Sequence, residues 1–171
     1  CRGKWATVSH EVFHIIDWTD GDRLDRDPAW EKLNPEGFSY GQGGWNVERS
    51  PNLLKMDMSL AGFLNQYSKA ALAEDKAEVF EAMIVDYRLV EYRTKRDKIL
   101  KAKVAVMKER LEKFCPEINS SFWYRMRRRY GDRPYKVELA ESLKDVKKNP
   151  NSGAAQFNRG YAFLKTGYYS L

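Results

Sequence analysis

Between Leu100 and Phe114 the apolar residues Leu100, Val104, Met107, Leu111 and Phe114 recur at alternating spacings of four and three. Positions so spaced share one face of an α-helix, and the pattern predicts a long helix over about 94–114 with an apolar packing seam. Cys115-Pro116 ends it, because proline removes a backbone donor and clashes with the preceding turn. Upstream, a helical region is expected over 59–86, broken near Tyr67-Ser68, with its strongest helix formers over 72–84. Near the start, Trp5, Val8, Val12, Phe13, Ile15 and Ile16 make a helix from Lys4 to about Trp18 apolar nearly all round, which predicts that it is buried. Thr19-Asp20-Gly21-Asp22 stops that helix with turn residues. Asp27 before Pro28 predicts the cap and first position of a short helix. Ser120 or Ser121 is expected to cap a helix running to Tyr130, followed by a linker at Gly131-Asp132-Arg133-Pro134. Strand-like alternation is nearly absent, so the fold class expected is mainly α.

Composition adds limits. A chain of 171 residues fits one domain, or one domain and part of another. With 43% hydrophobic and 13% aromatic residues it can build a core, and it contains no apolar run long enough to predict a membrane span. Cys1-Arg2-Gly3-Lys4 does not read as a signal peptide and leads almost at once into the first helix, so the chain is expected to be a piece of a longer protein. Cys1 and Cys115 allow one disulfide or two free thiols. The net charge of +6 is unevenly spread: residues 1–90 carry 10 basic and 15 acidic side chains, and residues 91–171 carry 20 and 9. A glycine-rich stretch over 34–52, with Tyr40 and Trp45, either lines a cleft or serves as a crossover.

The two histidines of the chain fall in one window, His10-Glu11-Val12-Phe13-His14. On a helix, residues four apart lie on one face, so His10 and His14 can grip a single metal ion while Glu11 reaches a water beside it. Buried histidines need partners, and a metal supplies one. A catalytic zinc takes three protein ligands and keeps one position open. With no third histidine, the third ligand must be a carboxylate. Asp20 has the spacing of a ligand that closely follows the motif, although Asp17 occupies the place where a glycine would turn the chain. Glu74 is the alternative, on a later helix. There Glu78, four residues on, shares its face and can take the ring N–H of a ligand histidine. Asp17, one turn beyond His14, is a candidate for the same outer layer or for a backbone cap.

His10-Glu11-x-x-His14-x-x-Asp17, Tyr67 and Glu74-x-x-Ala77-Glu78-x-Phe80 together resemble the gluzincin metallopeptidases of the anthrax lethal factor type and bacterial zinc-binding metallopeptidase domains. The resemblance runs through scattered motifs from His10 to about Phe80, and the interval from His14 to Glu74 is longer than in lethal factor. It implies Zn2+ as cofactor with His10, His14 and Glu74 as ligands, and Glu78 as a partner in the outer layer. It also implies Glu11 as general base, Tyr67 as a hydrogen-bond donor at the transition state, and a peptide or protein as substrate. Domains of that kind place a β-sheet before the motif helix, and none fits before Lys4. Residues 1–131 are therefore expected to be the helical C-terminal part of a zincin-like domain without its upstream sheet.

The basic half holds Trp123-Tyr124-Arg125-Met126-Arg127-Arg128-Arg129-Tyr130, a mixture suited to a polyanion. A helix spreads these arginines around its axis, so a solvated face is expected instead, and no nucleic-acid-binding signature accompanies them. Over 132–171 the chain is expected to be a linker and a partial helical repeat. Phe157, Gly160, Tyr161, Leu164, Gly167 and Tyr168 resemble the opening of a tetratricopeptide repeat, which implies a protein partner. The reading from a different class is a non-catalytic helical scaffold with a structural or vestigial zinc site. An intact Glu11 argues against it, because a purely structural site has no use for a base.

Overall fold

A computed structural model describes residues 4–19, 26–41, 43, 57, 59–129 and 148. The fold is mainly helical, with no β-strand among the described residues. Among the described residues, six α-helices with stated bounds follow in order: α1 (Lys4–Thr19), α2 (Pro28–Glu31), α3 (Leu72–Val85), α4 (Tyr87–Thr94), α5 (Lys98–Phe114) and α6 (Ser120–Arg129). A 3₁₀ turn, Tyr67–Lys69, precedes α3. No described helix is long and apolar enough to cross a membrane. The chain divides into two compact units, Cys1–Phe122 and Trp123–Leu171. Apart from Lys148, the tail expected to hold the partial repeat lies outside the described residues, as do the Gly131–Pro134 linker, Cys1, Asp20 and Trp45.

The helix starts follow side-chain caps. Asp27 Oδ1 accepts the Trp30 N–H at 3.0 Å, with Pro28 at the first helical position, as the sequence predicts. Asp97 caps α5 through Leu100 N at 2.9 Å, so that helix starts later than its apolar period suggests. Asp86 caps α4 and separates it from α3. At α6 the cap is Asn119, whose Oδ1 accepts from Ser121 N, rather than Ser120 or Ser121. The seam of α5 is buried at Leu100, Val104, Met107 and Leu111, while Phe114 is exposed at the helix end. Cys115 caps that end, and its thiol donates to Glu117 Oε2 at 3.1 Å.

Residues 59–66 are turns, where the sequence predicts helix. Gly62 has φ +80, a left-handed conformation that interrupts a helix. Cations from later helices take the carbonyls of this segment. Arg93 donates to the carbonyls of Asp57, Leu60 and Phe63 at 2.9 Å, and Lys103 donates to that of Gly62 at 2.8 Å. Carbonyls satisfied this way do not need a helical ladder.

α1 packs on α3 through His10, Phe13, His14 and Asp17, one helical stripe, with Phe13 and Phe80 rings 5.2 Å apart. Its other face is open: Trp5, Val8, Val12, Ile15 and Trp18 are exposed, Trp5 by 79%. The burial expected of the whole helix therefore holds for one face only.

Two buried polar clusters fix α3 from its other sides. Asp75 and Lys103, both with fully buried side chains, pair at 2.7 Å. Asp75 Oδ2 also accepts from Trp30 Nε1 at 2.8 Å and from Tyr40 OH at 2.6 Å. Burial pushes the Asp75 carboxyl up and the Lys103 amine down, while each group's charge opposes the shift of the other. In the second cluster, Lys76 on α3 bridges Asp17 of α1 at 2.7 Å and Asp27 at 3.7 Å, and Arg110 of α5 holds Asp27 from the far side.

Candidate metal centre

The period of α1 puts His10 and His14 on the face that meets α3, and the first turn of α3 brings Glu74 to them. His10 Nε2 lies 2.9 Å from Glu74 Oε2 and 3.2 Å from His14 Nε2, and His14 Nε2 lies 3.7 Å from Glu74 Oε2. The two imidazoles meet edge to face, with centroids 4.9 Å apart. Around zinc, ligand bonds of about 2.0–2.2 Å in a tetrahedron separate the donor atoms by about 3.3–3.6 Å. The three measured separations straddle that range, so the donors fit one such ion without rearrangement of the helices. Two imidazoles and a carboxylate are also a donor set that suits zinc chemically.

Burial alone would raise the Glu74 carboxyl, but the two histidines beside it hold it down to about 2. His10 is buried; His14 and Glu74 are partly exposed, so the centre is open on one side. The opposite edge of His10 meets acid: Nδ1 is 3.2 Å from Glu78 Oε1 and 3.5 Å from Glu81 Oε2. Acceptors there favour the proton on Nδ1, which leaves the Nε2 lone pair for a metal. Glu78 is itself anchored. Its Oε2 accepts from Asn65 Nδ2 at 2.6 Å, and Asn65 Oδ1 accepts from Ser68 N at 2.8 Å. Tyr67 sits in the same turn as Ser68, and its ring centroid is 6.1 Å from that of His10.

The structure thus brings His10, His14 and Glu74 together, with Glu78 and Tyr67 around His10. Glu11 follows His10 and is exposed to solvent. Asp17 is drawn to Lys76, which clamps the end of α1 to α3. Burial pushes the Asp17 carboxyl up, against the pull of Lys76. Two residues at the centre escape the sequence reading. Glu81 lies seven positions after Glu74, on the same helical face, and that spacing was the available signal. Asn65 has no sequence signal, because its role depends on a turn shaped by Arg93 and Lys103. A second group of possible donors, His10 with Glu78 and Glu81, uses the Nδ1 edge of the same ring.

Compared with protein-family models, curated proteins and solved structures, the chain finds no match in any of the three.

Proposed function

We propose that this chain binds one zinc ion through His10, His14 and Glu74 and hydrolyses peptide bonds, as the C-terminal part of a zincin-like domain. The observation that carries the reading is the convergence of those three donors, with ligand atoms within 4.8 Å of one another, from helices 64 residues apart in sequence. A zinc ion held only for structure is normally closed by a fourth protein ligand. Among the described residues no fourth donor joins this set, and its exposed edge leaves room for a substrate. The choice of a peptide rests on the resemblance of the motifs.

Zinc, when bound, supplies Lewis-acid polarisation of a carbonyl and a nucleophile usable at neutral pH. The chain supplies the rest. Glu78 and Glu81 orient His10 from its Nδ1 edge, so that Nε2 faces the metal position. Glu11, next to His10 and in contact with solvent, takes a proton from the attacking water and returns it to the leaving amine. Tyr67, beside His10, donates a hydrogen bond to the oxyanion that forms as the carbonyl is attacked.

Zinc content per chain tests this directly. The parent should hold one equivalent and Glu74→Ala none. Glu78→Ala should bind about 10- to 100-fold more weakly, the usual cost of losing a partner of a ligand histidine. Zinc retained in full by Glu74→Ala would refute the ligand set and direct attention to Asp20. Cleavage of a peptide library should then fall about 100- to 10,000-fold in Glu11→Gln while zinc content stays unchanged.

A further inference from the structure

A cavity of about 590 Å³ opens where α2, the chain over 38–41 with Gly43, and the start of α3 meet. That volume is in the range of specific ligand sites. Ala71 and Ala73 line it immediately before the ligand Glu74, within about one helical turn of that residue's backbone. Gly41 N and Gly43 N donate to the carbonyls of Lys69 and Ala70 at 3.0 Å, which lays the glycine segment along the edge that carries Tyr67. A Cβ at Gly41 would stand 3.1 Å from Ala70 O, so a larger residue there would press the two segments a few tenths of an ångström apart.

The chemistry of the lining is one-sided. Phe38 and Tyr40 contribute aromatic rings packed edge to face, 5.0 Å between centroids, and Phe38 is backed by Phe63 at 4.5 Å. Tyr40 is immobilised by its hydroxyl, which donates to Asp75 Oδ2. That hydroxyl oxygen can then only accept, and it takes Asn34 Nδ2 at 2.9 Å. The orientation of Asn34 is thereby fixed, and its Oδ1 is left as a buried acceptor with no hydrogen-bond partner. Glu31 adds an exposed carboxylate to the lining. Among the described residues that line the cavity there is no lysine or arginine. Its polar side chains are the Glu31 carboxylate, the Asn34 amide and the Ser39 hydroxyl, beside aromatic rings. A ring face beside a carboxylate suits a cation.

We propose that this cavity is a binding pocket for a cationic side chain, arginine or lysine, of a peptide. It rests on the peptidase reading only in being placed as a substrate pocket of the zinc centre. A planar guanidinium can lie against the rings while its N–H groups reach the exposed Glu31 carboxylate. The net negative charge of residues 1–90 favours such a ligand at longer range.

Nitrogen-15-labelled full chain titrated with Nα-acetyl-arginine amide, Nα-acetyl-leucine amide and Nα-acetyl-glutamate amide tests the pocket without requiring cleavage. The arginine compound should shift the amides of Gly41, Gly43 and Ala71–Ala73 saturably, and the other two should not. Reversing the charge in Glu31→Lys, at an exposed position, should weaken that binding about tenfold, and Glu31→Gln about two- to fivefold. Equal shifts from the leucine compound, or none from any compound, would overturn the proposal. Saturable arginine binding by a chain that holds no zinc and cleaves nothing would keep the pocket and refute the peptidase reading. Cleavage of a peptide library with no preference for arginine or lysine, together with a silent titration, would do the reverse.

Discussion

Lys103→Met isolates a fully buried ion pair of the core. Methionine keeps most of the side-chain length and removes the cation. Lys103 then no longer pairs with Asp75 at 2.7 Å, no longer donates to Gly62 O, and no longer faces the Phe63 ring at 3.9 Å. Removing one partner of a buried ion pair costs about 3–5 kcal/mol. Asp75 retains the neutral donors Trp30 Nε1 and Tyr40 OH, which places the loss near the lower end, about 3 kcal/mol. For a chain of this size that is a fall in Tm of about 6–12 °C, and a fifth or more of a typical total stability of about 5–15 kcal/mol. The pH dependence supplies an independent check. Burial already raises the Asp75 carboxyl above its ordinary 3.8, and Lys103 is the main force opposing that rise. Without the lysine it rises further. A folded-state value above the unfolded one means that the deficit of the variant is full at high pH and shrinks as pH falls through the folded-state value. Urea unfolding followed by tryptophan fluorescence, at neutral and at mildly acidic pH, measures both effects. A variant within about 0.5 kcal/mol of the parent, the range of ordinary surface changes, would refute the reasoning. So would a deficit that grows on acidification.

Other expectations concern the frame around the centre. Gly62→Ala should destabilise by at least about 1–2 kcal/mol, because φ is +80 there and the new methyl would meet the Ile99 side chain; thermal unfolding decides it. Asp27→Asn weakens the grip of Arg110 and Lys76 and should also flatten the acid side of the stability curve. Burial alone would raise the Asp27 carboxyl, but Arg110 and the Trp30 N–H outweigh it and hold it below 3.8. A depressed value contributes stability in full above the unfolded 3.8 and loses it as pH falls towards the folded value. Equal steepness of acid unfolding in parent and variant would contradict this.

The sequence made legible what depends on local chemistry. Residues His10 and His14 share a face of α1, Asp27 and Pro28 start α2, and the seam of α5 is buried over four of its five members. Contacts supplied from far along the chain were not legible. The turns over 59–66 contain good helix formers, yet Arg93 and Lys103, about thirty to forty residues later, take their carbonyls. Asp17 stands at a helical interval from His14 that suits a role near the metal, but Lys76, 59 residues away, takes its carboxylate. Periodicity can place a charged residue on a face, but which counter-charge meets it depends on the tertiary fold.

Helix α1 makes the same argument in energetic terms. It carries two stripes, one of Trp5, Val8, Val12 and Ile15, and one of His10, Phe13, His14 and Asp17, and hydrophobicity alone would send the first inward. Exposing a large apolar side chain forgoes about 1.5–3 kcal/mol. The facing side of α3 carries Glu74, Glu78 and Glu81 with Lys76 nearby, and burying carboxylates against valine and tryptophan would leave several charges without partners at several kcal/mol each. The polar stripe matches them group for group: His10 and His14 to the glutamates, and Asp17 to Lys76. Complementarity of polar groups therefore outweighs apolarity in choosing the face that packs. The same choice brings two imidazoles and a carboxylate to a single point.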